Sequence, residues 1–404
     1  MRILIVGGGS FIGAHAARQF LTNGHDVAAY DVDISDNAIH HVLTPTELSR
    51  ISFLRGDVLD GVNIIAAAAR TRAESIVHLA AALIPQCRAE PALSVRINCD
   101  GLNHSFEAAR ILGLRRVVWA SSIAVYGPQR AYAEPEPDEA ATHMPTNVYG
   151  ACKSLNEQLG LHYAREFGVD NIGLRFTNVY GPGRKRGGWS YQLVNELIVK
   201  PAREQRGHVT HADTLVNWQY VGDAAQAIVR ALYHAGEDHS LIYNSGGDRH
   251  TVREAAEMVG RILPTAEIDC APGDQGEIAR LSTARIEREL GYRPEFTLEQ
   301  GLEEILQLRE RSAQMGVSGS RLFNPGWHMS IDVPFMLTIC EGIVRAAIAR
   351  RESRGGHWRL DCPDQVAELG HLNYIVQKTP GGMEVTTAPI PPIREDLAAL
   401  LTAK

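Results

Sequence analysis

The first fifteen residues constrain the fold more than any other part of the chain. Met1-Arg2-Ile3-Leu4-Ile5-Val6 is a short apolar run that breaks into Gly7-Gly8-Gly9-Ser10-Phe11-Ile12-Gly13, and a helical pattern follows at once. Glycines between a first strand and a helix let the backbone turn tightly and approach a pyrophosphate, whose charge then rests on the helix N-terminus. A glycine-rich stretch alone says little, but in this position it predicts a dinucleotide site. Further short apolar runs at 27–30, 51–54, 75–79, 117–120 and 171–176 alternate with helical patterns at 11–22, 62–70, 93–112 and 148–167. That alternation is the mark of a parallel sheet with crossover helices. The expected fold class is therefore α/β, a Rossmann doubly wound parallel sheet.

The order changes after residue 176. The expected division is a Rossmann domain over 1–176 and 213–240, with a strand-helix piece at 218–233 returning to the sheet. A smaller α+β substrate region is expected over 177–212 and 241–312. Gly316 to Ser320 reads as a linker, and 319–404 as a C-terminal helical appendage with one strong helix over 333–352. The apolar stripe of that helix (Phe335, Leu337, Ile339, Ile343, Val344, Ala347) must be covered by the chain's own body, a second subunit or a partner flavoprotein.

Composition narrows the function classes. At 404 residues the chain is long enough for two or three domains. A net charge of −7 argues against a nucleic-acid or membrane-surface partner, since both call for a basic face. The six cysteines form no C-x-x-C pair and no zinc-ligand spacing, so neither a disulfide framework nor a metal site is expected. The N-terminal apolar run is too short for a signal peptide and no apolar stretch reaches spanning length, so the cytoplasm is the expected compartment.

Candidate cofactor residues follow from the strand ends. Gly7, Gly9, Ser10, Phe11, Ile12 and Gly13 form the turn. Asp31, at the end of the second strand, suits the adenosine ribose hydroxyls and repels a 2′-phosphate; with no Arg or Lys between it and His41, NAD is expected rather than NADP. Asp57 and Val58 follow the third strand, within reach of an adenine. His78-Leu79-Ala80-Ala81 closes the fourth, with small residues that leave room for a ligand, and His78 itself reads equally well as a packed structural histidine.

Tyr149 and Lys153 stand at i, i+4 on a predicted helix and so share a face. A tyrosine serves as a general base only if its pKa falls well below 10, and a neighbouring ammonium has that effect. Ser122, just past the fifth strand, can hold the substrate oxygen while Tyr149 takes its proton; Ser121 is the alternative for that role. Asn98, a poor helix former in mid-helix, either bends the helix and holds a water near the lysine or is merely solvated.

Together these residues resemble the extended short-chain dehydrogenases/reductases, which include the NAD-dependent epimerases and dehydratases. The resemblance covers residues 1 to about 311. Leu174 to Gly183 and Tyr220-Val221-Gly222-Asp223 are similar to later motifs of that family. It implies Ser122, Tyr149 and Lys153 as the catalytic triad, Asn98 beside the cofactor-binding Tyr149 and Lys153, Asn178 against substrate, and a homodimer. Dehydrating relatives carry Asp-Glu just after the active hydroxyl and decarboxylating ones a Glu. Ile123 and Ala124 stand there instead and cannot transfer a proton.

Sugar-nucleotide members also carry an arginine before the Tyr-Val-x-Asp motif for the diphosphate. Val216 occupies that place, so an ordinary UDP-sugar is not the expected substrate. Arg184, Lys185 and Arg186 offer other cations, although a charged loop is more often a solvated face. The expected activity is NAD-dependent removal of hydride from a secondary alcohol of a sugar, sugar acid or other polyhydroxylated small molecule. The alternatives are a UDP-sugar 4-epimerase and, from another class, a non-catalytic NAD-binding scaffold docked to a flavoprotein. The last rests on the tail: Asn324 to His328 and Arg351 to His357 are similar to the C-terminal region of succinate dehydrogenase and fumarate reductase flavoprotein subunits.

Overall fold

Ile3, Leu4, Ile5 and Val6 are almost wholly buried, as expected of a strand covered by helices on both faces. They belong to β1 (Arg2–Val6), the hub of a seven-stranded sheet. The other early strands are β2 (Asp26–Asp31), β3 (Ile51–Arg55), β4 (Ser75–His78), β5 (Arg116–Ser122) and β6 (Asn171–Phe176). Later come β7 (Asn178–Tyr180), β8 (Gly207–Val209), β9 (Leu215–Tyr220), β10 (Ser240–Asn244), β11 (Asp248–Thr251) and β12 (Ile268–Cys270). The main sheet runs β10-β6-β5-β4-β1-β2-β3 with every pair parallel. The order reverses between β1 and β4, and a ligand crevice opens beyond the carboxyl ends of the strands at such a switch point.

This architecture comes from a computed structural model, which describes residues 1–35, 37–184, 187–203, 205–236, 240–313, 345–346, 348–353, 362–379 and 382–391. Two compact units divide the chain, Met1–Ala313 and Gln314–Lys404.

One strand differs from expectation. The 218–233 piece does not return its strand to the main sheet. β9 pairs in parallel with β7 and antiparallel with β11, making a separate three-stranded sheet, and β10 is the seventh strand of the main one. β9 and β10 are both short apolar runs, and hydrophobicity does not say which edge each will extend. The helix Val221–Tyr233 between them does lie on the first helix, Phe11–Thr22, where Gln19 Nε2 donates to the Gly222 carbonyl at 2.8 Å. β8 and β12 form a small parallel pair.

In the second unit residues 345–346 and 348–349 are helical, inside the helix expected over 333–352, and the described residues add a hairpin that was not expected. β13 (Leu372–Thr379) pairs antiparallel with β14 (Gly382–Pro389). Its strands are rich in β-branched residues and flank Pro380-Gly381 in the sequence, a turn signal. Arg350 stacks over Tyr374 at 4.6 Å, and the buried Glu352 accepts a hydrogen bond from the Val366 amide at 2.9 Å. Most of the helix expected over 333–352, its apolar stripe, Gly316 to Ser320, Asn324 to His328, Arg354, His357, Lys185 and Arg186 lie outside the described residues. Among the described residues no helix is long and apolar enough to cross a membrane.

Candidate active site

At the switch point the backbone of Gly7 donates to the Tyr30 carbonyl at 2.8 Å, with φ of +82°. A Cβ there would lie 2.5 Å from the Ala80 amide nitrogen, so only glycine lets β1 and β4 end this close together. Ser10 then caps the helix Phe11–Thr22, accepting from the Gly13 amide at 3.2 Å. The first amides of a helix have no partner within it, which suits a helix N-terminus to an anion.

Asp31 sits beside this turn, its Oδ2 accepting the Gly9 amide at 2.9 Å. Burial raises its pKa, against hydrogen bonds from the Asp33, Gly9 and Val32 backbone. Asp57 is exposed past β3, with Val58 buried behind it; Leu79 is buried and Ala80 and Ala81 are half-buried at the end of β4. The cradle thus combines a glycine turn, a helix N-terminus and a carboxylate, a set that fits NAD. With Asp31 and Asp33 together, a 2′-phosphate meets two carboxylates. Calorimetric titration is expected to show NAD binding at least about tenfold more tightly than NADP, roughly 1.4 kcal/mol. Equal affinities would contradict the role given to Asp31.

Asn98 is not solvated. It is 2% exposed, in a π turn over Arg96–Asp100. Its Oδ1 accepts the Ala82 amide at 2.9 Å and its Nδ2 donates to the Ala82 carbonyl at 3.1 Å. Asn156 Nδ2 in turn donates to the Asn98 carbonyl at 2.9 Å. The bend therefore holds the segment after β4 at the crevice wall, a common use of π turns near sites.

Ser122 neighbours Tyr149 closely enough to lower the pKa of its hydroxyl. Ser121 is 1% exposed and its hydroxyl is taken by Glu157, at 2.6 Å. Lys153 lies with Nζ 5.4 Å from the centre of the Tyr149 ring and donates to the Ala120 carbonyl at 2.6 Å. Their electrostatics correct one expectation. Burial pushes the Tyr149 hydroxyl up to about 12, although Ser122 and the Arg184 charge pull it down. Lys153 does not bring it below 10 as expected; burial of the hydroxyl outweighs the groups around it, and burial also takes Lys153 down to about 8. Without a further cation, Tyr149 presents a proton rather than a base.

Asn178 is half-buried at the start of β7. Arg184 is half-buried too. Its Nη1 donates to the Val179 carbonyl and its Nη2 to Ser190 Oγ at 2.9 Å, while its guanidinium lies 5.6 Å from the Phe11 ring centre. Its Nε is enclosed, with no hydrogen-bond partner among the described residues. Burial lowers its pKa to about 10, with Tyr149 acting against the shift, so it remains cationic at neutral pH. Val216 is 1% exposed and offers no charge. His78 is buried with Nδ1 on Ser105 Oγ at 2.8 Å; burial takes it to about 3 and keeps it neutral, a packed histidine. Asp223 accepts the Glu295 and Phe296 amides at 2.9 and 3.3 Å, so that motif ties down a later segment.

Sequence reasoning missed one buried group: Glu157, Arg175 and His143. A signal existed, since Glu157 continues the Tyr149, Lys153 spacing by four residues. A cavity of about 610 Å³ touches this group; Ser122, Tyr149 and Lys153 do not line it.

Comparison with known proteins gives the family and the fold. Residues 3–246 match the family described as NAD dependent epimerase/dehydratase, and residues 288–391 match fumarate reductase flavoprotein C-term, starting earlier than the expected appendage. The chain is similar to UDP-glucose 4-epimerase of Mycolicibacterium smegmatis, 26% identical over 320 residues, 78% of this chain and 100% of that protein. It is 30% identical to UDP-glucose 4-epimerase of Lacticaseibacillus casei over 317 residues, 73% of this chain and 92% of that one. Among solved structures it resembles UDP-glucose 4-epimerase of Thermus thermophilus in complex with NAD, with TM-score 0.67, 25% identity and coverage of 77% of this chain and 99% of that one.

Proposed function

The chain belongs to the NAD-dependent epimerase/dehydratase family, and from that premise we propose that it oxidises a secondary alcohol of a small polyhydroxylated substrate, through Tyr149, Ser122 and Lys153. The observation that carries this reading is the grouping of Ser122, Tyr149 and Lys153 at the carboxyl end of β5: Ser122 acts on the Tyr149 hydroxyl, and the Lys153 ammonium lies 5.4 Å from the centre of its ring. NAD supplies, when bound, a ring that accepts and returns hydride. Ser122 holds the substrate oxygen, and Tyr149 takes its proton and gives it back. Lys153 holds the end of β5 through the Ala120 carbonyl and places positive charge under the Tyr149 ring. Asn98 keeps the facing wall in place. Asn178 and Arg184 face substrate in this reading.

Ile123 and Ala124 supply no second acid or base, so the chemistry ends at oxidation, or at oxidation followed by hydride return to the other face. Two subunits pair through the helices that carry Asn98 and Tyr149 in this account.

The substrate is best read as a sugar or sugar acid rather than an ordinary UDP-sugar. A buried diphosphate needs charge-assisted partners, and the buried Val216 provides none. Arg184, close to Tyr149, suits an anionic group near the reacting carbon instead. The relatives favour a second reading, a UDP-sugar 4-epimerase, with Arg184 holding the diphosphate. A panel of sugars, sugar acids and nucleotide sugars, read by thermal stability with NAD present, separates the two. Stabilisation by a sugar or sugar acid and not by UDP-glucose or UDP-galactose is expected. Conversion of either UDP-sugar at micromolar-to-millimolar KM would contradict the first reading and support the second.

A further inference from the structure

We propose that Glu157 is a positioning residue for the Ser122–Tyr149 pair, fixing the end of β5 to the helix that carries the base. The helix Val148–Phe167 presents Tyr149, Lys153 and Glu157 at successive four-residue steps on one face. These three side chains engage three consecutive residues of β5. Tyr149 neighbours Ser122, Lys153 bonds the Ala120 carbonyl at 2.6 Å, and Glu157 Oε1 accepts the Ser121 hydroxyl at 2.6 Å.

Glu157 also reaches the next strand. Arg175, opposite Ser121 in the β5–β6 register, donates to Glu157 from Nε at 2.9 Å and from Nη2 at 2.6 Å. His143 completes the group, with Nε2 2.8 Å from Arg175 Nη2 and Nδ1 2.9 Å from Ser154 Oγ. Burial alone would raise the Glu157 pKa; the hydrogen bonds from Arg175, His143 and Ser121 and the Arg175 charge outweigh it and hold the carboxylate ionised.

A buried ion pair is weak support for stability, since apolar residues of the same volume often serve as well. Charge-assisted bonds are, however, short and directional. Here they join helix, β5 and β6 at one point, one residue from Ser122. Reacting groups displaced by about 1 Å lose on the order of 10²-fold in rate, so a fixed β5 end matters to chemistry more than to folding.

The inference rests on the assignment of Tyr149 as acid/base, so Tyr149→Phe is assayed alongside. Ser121→Ala removes only the hydroxyl bonded to Glu157 and leaves the ion pair. Glu157→Leu with Arg175→Met replaces the buried pair by apolar groups. Expected per folded molecule is a fall in kcat of about tenfold for Ser121→Ala and about 10²-fold for the double variant, with KM and NAD affinity within about threefold of wild type. A kcat within threefold of wild type in Ser121→Ala, or in a double variant that melts like wild type, overturns the proposal. Should the double variant not fold, Ser121→Ala decides alone. If Tyr149→Phe retains its turnover, the base assignment fails instead, and this inference fails with it.

Discussion

Tyr149→Phe is expected to lower turnover by at least about 10²–10⁴-fold while NAD binding stays largely intact. The phenyl ring keeps the packing, so the variant isolates one hydroxyl. Ser122 and Arg184 both act on that hydroxyl, and Lys153 Nζ lies 5.4 Å from the ring centre. Its pKa near 12 in the protein alone makes it a proton donor at neutral pH, and the rate of the oxidative direction therefore depends on positive charge gathered around it. Steady-state kinetics and NAD calorimetry on the same preparation check both halves. A variant that keeps most of its turnover would show that the base lies elsewhere.

Gly150→Ala is expected to have an effect of similar size for a different reason. A Cβ at Gly150 would lie 2.0 Å from the Ala124 carbonyl oxygen and 2.9 Å from its carbon. Neither atom is the end of a flexible side chain, so the helix Val148–Phe167 must back away from the turn after β5. Tyr149 and Ser122 sit on the two sides of that contact. Overpacking of this kind costs about 1–3 kcal/mol, and a shift of about 1 Å between the reacting groups lowers kcat by on the order of 10²-fold. Gly260→Ala is the control. Its Cβ meets nothing within 4 Å inside the helix Val252–Ile262, and it should gain about 0.5–1 kcal/mol. Thermal melts and kcat for both variants decide; an unimpaired Gly150→Ala would mean that the helix–turn contact does not govern the site.

The main sheet was legible in the sequence to a useful degree. β1 to β6 lie within two residues of the apolar runs that mark them, because strands buried on both faces need continuous apolar stretches and the turns between them carry glycine or polar residues. The cofactor turn was legible for the same reason. Its glycines answer to local backbone geometry, which a short window of sequence contains.

What depended on tertiary context was not legible. β9 and β10 were exchanged, since strand composition does not specify a neighbour. Asn98 reads as a polar residue in a helix, and only the fold brings the Ala82 backbone to it. The direction of the Tyr149 shift was misjudged because i, i+4 spacing reports nearness and not burial. Glu157 was passed over because its partners, Ser121 and Arg175, come from two strands distant from it in sequence. The 372–389 hairpin was overlooked although Pro380-Gly381 stands plainly between two alternating runs of the sequence.

The central claim is that this crevice moves hydride between a secondary alcohol and NAD by way of Tyr149. The most direct measurement is the absorbance of reduced nicotinamide after NAD-loaded protein is mixed with the ligand that stabilises it most. The account predicts that the reduced band forms in the wild type, persisting in a dehydrogenase and decaying as hydride returns in an epimerase, and that it forms far more slowly in Tyr149→Phe. A protein that binds NAD and that ligand together, yet never shows the reduced band, would contradict it and leave a scaffold in place of an enzyme.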